Sequence, residues 1–153
     1  MGPQVLILIG SESDREAMQG CLANLDKFGV THELIVSSAH RSPEKTRQLA
    51  EGAKARGVRV VICGAGMSAA LPGVVASMTT LPVIGVPLAG SHLSGVDALH
   101  AIVQMPPGVP VATMAIGAAG AKNAAIFAAQ ILGLSDPEVE ARIDDHKAEL
   151  AAG

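Results

Sequence analysis

The chain has 153 residues, a hydrophobic fraction of 49% and a mean hydropathy of +0.40. That length suits one domain, and the apolar content excludes a disordered chain because enough surface is available to offset the entropy lost on folding. The net charge of −3 comes from scattered residues. With no basic run to track a phosphate backbone, a nucleic-acid partner is not expected.

Aromatic residues make up only 1%, both of them Phe. Val, Ile, Leu, Met and Ala must therefore fill the core, and Ala-rich helix faces favour burial between copies of the chain, so a homo-oligomer is expected. Met1 is followed closely by the apolar run Val5–Ile9, too short for a bilayer and without a cationic leader. A cytoplasmic protein with no membrane partner is expected.

In chain order, the continuously apolar Val5–Ile9 reads as a strand that ends at Gly10-Ser11. Asp14 then opens a helix over Arg15–Phe28, where apolar residues recur at helical spacing. Glu33–Val36 is the second strand, Ser38–Ser42 a loop, and Pro43 the first turn of a helix reaching about Arg56 before Gly57. Val58–Cys63 is a third strand leading into the glycine-rich run Gly64–Gly73. Leu81–Val86 is a fourth, bounded by Pro82 and Pro87, and Val109–Ala115 a fifth. A helix follows over Ala121–Leu132, and Ser135-Asp136-Pro137 starts a last one through Glu138–Leu150.

Strands without polar alternation are buried on both faces. Their alternation with helices predicts an α/β fold: a three-layer αβα sandwich on a parallel, flavodoxin-like doubly wound sheet. Residues 1–153 form one domain in this reading, with the helix over 135–151 expected to pack on a neighbouring subunit.

Ligands of such sheets bind beyond the carboxyl ends of the strands, which singles out the loops there. The first, Gly10-Ser11-Glu12-Ser13-Asp14, offers backbone N–H groups, hydroxyls and a carboxylate suited to ribose or phosphate. Ser13 or Asp14 capping the next helix accounts for the same residues, and capping and binding can coexist. The loop matches neither GxGxxG nor the P-loop.

The second loop, Ser37-Ser38-Ala39-His40-Arg41-Ser42-Pro43, sets a histidine beside an arginine. Arg41 suits a phosphate or carboxylate through its planar fork. Imidazoles exchange protons near neutral pH, so His40 is the candidate acid/base, against the alternative of a surface histidine without a role. In the third loop, Gly64–Gly73, glycines let the backbone approach a ligand closely, or merely let a helix pack on the sheet. His92, in Gly90–Gly95, lies in a further loop, where it could line the same cleft or an oligomer contact, and structure is favoured over catalysis. His32, His100 and His146 occupy positions for packing or solvation. Cys21 and Cys63 form no CxxC pair and no histidines share i, i+4 spacing, so buried thiols and no metal are expected.

The segments GSESD, SSAHRSPEK, GAGMSAALPG, LSGVDALHAIVQMPPGVPVATMAIG and AKNAAIFAAQIL, in unbroken order over most of residues 4–133, resemble the N5-carboxyaminoimidazole ribonucleotide mutase family. The resemblance implies a step of de novo purine synthesis, in which a carboxylate moves from the exocyclic nitrogen of a phosphoribosyl-imidazole to ring carbon C4. It implies no cofactor, and an octamer with active sites near subunit junctions. It assigns proton transfer to His40 and substrate contact to Ser11, Ser13, Asp14, Ser38, Ala39, Arg41, Gly66, Met67 and Leu71, with Arg41 and Ser38 near phosphate and Asp14 near ribose.

Many relatives read GAGGAAHLPG where this chain has GAGMSAALPG. A common histidine is thus Ala70 here, and His92 is one conceivable substitute for it. The nearest rival reading is an aminoimidazole ribonucleotide carboxylase using free CO2, whose members carry SAHK and AGRSN-like loops. A non-catalytic flavodoxin-like module for a flavin or nucleotide is the other, although few aromatics are present to stack a flavin.

Overall fold

Every residue of β1, Val5–Ile9, is fully buried, as an unbroken apolar strand at the centre of a sheet must be. In the computed structural model, which describes residues 2–153, β1 pairs in parallel with β2 (His32–Val36) on one side and β3 (Val60–Gly66) on the other. β3 then pairs with β4 (Val83–Leu88), and β4 with the short β5 (Ala112–Thr113), giving the order β2-β1-β3-β4-β5. This is the expected flavodoxin-like winding, whose order reverses between β1 and β3.

Alternate side chains of each strand feed opposite layers. Val5, Ile7 and Ile9 pack with α1 (Gln19–Lys27), α5 (Ala118–Gly133) and α6 (Pro137–Ala151), while Leu6 and Leu8 pack with α2 (Pro43–Gly52), α3 (Leu71–Met78) and α4 (Val96–Val103). Each of those five β1 side chains contributes roughly 1.5–3 kcal/mol by leaving water. Ala121, Ala124, Ala125, Ala128 and Ala129 form a fully buried stripe on α5, which lets α5 approach both the sheet and α1 closely. α6 follows Asp136, whose carboxylate caps Glu138 and Val139, and inserts Val139 and Ile143 into the same core.

Several boundaries differ from the sequence expectation. The helix expected at Arg15 begins at Gln19 because Ser11 and Asp14 start a tighter 3-10 turn over Glu12–Asp14. Three-residue hydrogen bonds persist through Gln19 N–H to the Glu16 carbonyl. The third strand lies later than expected, since Gly64, Ala65 and Gly66 pair with Val86, Pro87 and Leu88. Pro87 thus falls inside β4 rather than bounding it. β5 pairs only with Ile84 and Gly85, so no ladder bond needs an N–H at Pro87, and its carbonyl accepts from Gly117 at 2.8 Å. The fifth strand shrinks from seven expected residues to the pair Ala112–Thr113 in a segment broken by Pro106, Pro107 and Pro110. α2 ends at Gly52, followed by a 3-10 turn over Lys54–Arg56 and Gly57 at φ +92°. α3 begins inside the stretch expected to be loop. His32 is the first residue of β2 rather than preceding it.

Candidate active site

The reversal in strand order leaves a crevice beyond the ends of β1 and β3, and a cavity of about 660 Å³ occupies it. The loop after β1 supplies Gly10, Ser11, Ser13 and Asp14; the loop after β2 supplies Ser38, Ala39, His40 and Arg41. The end of β3 and the turn into α3 supply Ala65 to Leu71, and Gly90 comes from beyond β4. His40, Ser11, Ser13, Asp14, Ser38, Ala39, Arg41, Gly66, Met67 and Leu71 are all brought to this one cavity. His92 is not: it is exposed on the turn between β4 and α4, away from the lining.

The first loop is wound by its own hydrogen bonds. Ser11 N–H donates to Asp14 Oδ2 at 3.1 Å, and Ser11 Oγ accepts from Ser13 N–H at 3.4 Å. This is a capping box, so both the capping and the ligand-facing readings of these residues apply. Partial burial raises the Asp14 carboxyl above its ordinary value of 3.8, opposed by the Ser11 N–H and the Arg41 charge.

The second loop is held from three directions. Ser37, its first residue, is buried with its Oγ 2.8 Å from the buried Thr46 Oγ1 on α2, and its N–H donates to the Ile9 carbonyl, extending the β1–β2 ladder. Arg41 donates from Nη2 to the Gly10 carbonyl at 2.8 Å and from Nε to Ser38 Oγ at 3.3 Å. Its guanidinium thereby ties the second loop to the first, with one terminal nitrogen outside these two bonds. Lys45 secures the end of β2 by donating to the Val36 carbonyl at 2.7 Å. His40 is exposed at the cavity between these anchors, free to meet a ligand.

The third wall is made of small residues for a steric reason. A Cβ at Gly64 would lie 2.9 Å from Met18 Sδ, and one at Gly66 3.3 Å from the Leu88 carbonyl oxygen. Beyond Gly66 the chain turns sharply at Met67, whose φ is +54°, and Ala69 N–H donates to the Met67 carbonyl at 2.9 Å. Ala70 then starts α3 without a side-chain cap, leaving the first turn of that helix open at the cavity wall. A cation, a carboxylate and an imidazole thus surround one space sized for a nucleotide.

The sequence marks the loops that hold Gly10, Ala65, Ser68, Ala69, Ala70 and Gly90 without singling these residues out as contacts, and it does not reveal the Ser37–Thr46 pair behind the lining. The one available signal was Thr46, a hydroxyl on the otherwise apolar inner face of α2.

The AIR carboxylase family matches residues 4–152. The chain belongs to that family. The N5-carboxyaminoimidazole ribonucleotide mutase of Thermotoga maritima is 50% identical over 145 residues, covering 95% of this chain and 84% of the relative. That of Aquifex aeolicus is 52% identical over 144 residues, covering 94% and 85%. Among solved structures, Treponema denticola PurE superposes with a TM-score of 0.88 at 28% identity, covering 97% of this chain and 91% of that one. Family and fold therefore agree with the winding seen in the sheet. Among the described residues, no helix is long and apolar enough to cross a membrane.

Proposed function

We propose that this chain is a mutase of purine biosynthesis that converts N5-carboxyaminoimidazole ribonucleotide into 4-carboxy-5-aminoimidazole ribonucleotide. The observation that carries the reading is identity of about half of all positions, over nearly the whole chain, with relatives named for that activity. The cavity supports it by offering groups that match each part of such a substrate. The carboxylase alternative is not favoured, because these relatives are named mutases.

In this reading, loss of the carboxylate from the exocyclic nitrogen leaves CO2 and aminoimidazole ribonucleotide in the cavity. His40 gives a proton to the departing nitrogen. Ring carbon C4 then attacks CO2, and the same imidazole, now neutral, takes the C4 proton, so the residue ends as it began. Arg41 and Ser38 hold the phosphate, with Arg41 using the nitrogen that its loop-bridging bonds leave over. Asp14 accepts from a ribose hydroxyl while its second bond to Ser11 N–H keeps it oriented. Ser11 and Ser13 steady that end, and Ala39, Gly66, Met67 and Leu71 wall the imidazole and its carboxylate. No metal or cofactor takes part in these steps.

The same reading has several copies assembling, as an octamer, in the cytoplasm and apart from membranes. Exposed Leu93, Val96, Val103, Leu134 and Leu150 support assembly, and the solvent face of α6 is available to a neighbouring copy. Purified protein given N5-carboxyaminoimidazole ribonucleotide, without ATP, should yield the C4-carboxylated product. His40→Asn should lower turnover about a thousandfold while circular dichroism and nucleotide binding stay near wild type. Retained turnover in that variant would contradict the assignment of His40.

A further inference from the structure

We infer that the Met67 side chain is a movable apolar cover over the reacting end of the cavity, keeping released CO2 from escaping or being hydrated. The inference rests on the mutase reading and sharpens the part of a residue that the reading places only in the cavity wall.

Met67 lines the cavity yet is 62% exposed, a large apolar side chain left in water at the mouth of a polar site. Its backbone is also unusual. Among the described residues only Met67 and Ser94 are non-glycine residues with positive φ, a region that costs a residue with a Cβ and costs glycine nothing. Glycine would suit this turn, and both Gly64 and Gly66 stand just before it. A long side chain is present instead, on a turn closed by the Ala69 N–H bond to the Met67 carbonyl. The turn is anchored by buried Ala69 and Leu71, each 3% exposed.

The base of this side chain is therefore fixed while its end is free. Methionine is unbranched, rotates about three bonds and carries no strong hydrogen-bonding group, so it can fold over a bound ring without placing a polar atom beside the reacting carbon. Burying it on the ligand removes apolar surface from water, which favours closure once the nucleotide is bound. The need for a cover follows from the chemistry. CO2 that meets water becomes bicarbonate and a proton, and the nucleotide then leaves as aminoimidazole ribonucleotide, uncoupled from product formation.

Two readouts test the cover. The first is oxidation of Met67 in the intact protein by dilute hydrogen peroxide, which transfers one oxygen to the thioether and leaves as water, followed by mass spectrometry of the Met67 peptide. Saturating 4-carboxy-5-aminoimidazole ribonucleotide should slow this oxidation at least fivefold. The second is partition of turnover. Met67→Gly should release at least three times more aminoimidazole ribonucleotide and bicarbonate per product formed, with a severalfold higher KM, and Met67→Leu should recover most of the coupling. Unprotected Met67 together with wild-type partition in Met67→Gly overturns the cover while leaving the mutase reading intact. Protection of Met67 in a protein that isomerises nothing overturns the mutase reading, and with it the retention of CO2, and leaves only a side chain that closes on a bound nucleotide.

Discussion

In the proposed site, Asp14 sets function against stability within one residue. Its carboxyl is raised above 3.8 chiefly by partial burial, so the folded state holds a proton more readily than the unfolded one. The stability linked to Asp14 is therefore highest in acid and falls as pH rises from about 4 through the raised folded value. At pH 7 the group is a partly buried charge. Asp14→Asn keeps an oxygen to accept from Ser11 N–H, so its thermal midpoint at pH 7 should equal or exceed wild type while KM rises about tenfold. A midpoint lowered by several degrees would show that the charge stabilises this loop. The two thiols lie at the opposite extreme of reactivity. Burial pushes Cys21 up to about 12 and raises Cys63 as well. Neither should react with a thiol reagent at pH 8 until denaturant is added, which titration of free thiols before and after unfolding would check.

Elements position these residues through contacts that sequence shows only in part. β1 was legible because five consecutive apolar residues have no other use in a chain this short. The ends of β3 and β4 were not. Gly64, Ala65 and Gly66 carry no strand propensity, and pairing with Val86 to Leu88, and of Gly64 with Ile9, makes them strand. Likewise the apolar periodicity sets the start of α1 four residues early, because it does not distinguish a 3-10 turn from an α turn. The loop carrying His40 was legible as a polar loop beyond a strand end, whereas its anchor, Ser37 on Thr46, depends on where α2 lands against β2. Ser37→Ala should cost about 1 kcal/mol and lower turnover severalfold by loosening the loop, measured by denaturant unfolding beside steady-state kinetics. A sharper requirement sits on α5. A Cβ at Gly120 would lie 1.6 Å from the Ala115 carbonyl oxygen, so Gly120→Ala must displace the start of the helix. A loss of about 3 kcal/mol, and a melting point lower by roughly 6–12 °C, are expected.

At the scale of the whole molecule, the sheet order creates the site. Reversal between β1 and β3 sends their following chains to opposite layers, and loops that are far apart in sequence meet over the gap. This is why ten residues scattered from Ser11 to Leu71 reach one cavity; of the loop after β4, Gly90 joins them and His92 does not. Sequence motifs marked which loops carry polar groups. The fold decided which of them face each other. In the proposed reaction the carboxylate that leaves the nitrogen is the one that arrives at C4, without passing through solvent. The most direct measurement of this transfer supplies N5-carboxyaminoimidazole ribonucleotide labelled with ¹³C in that carboxylate, in unlabelled bicarbonate buffer, and reads the product by mass spectrometry. Product that keeps the label is the expected result. Product carrying unlabelled carbon, formed only when bicarbonate is present, would contradict it.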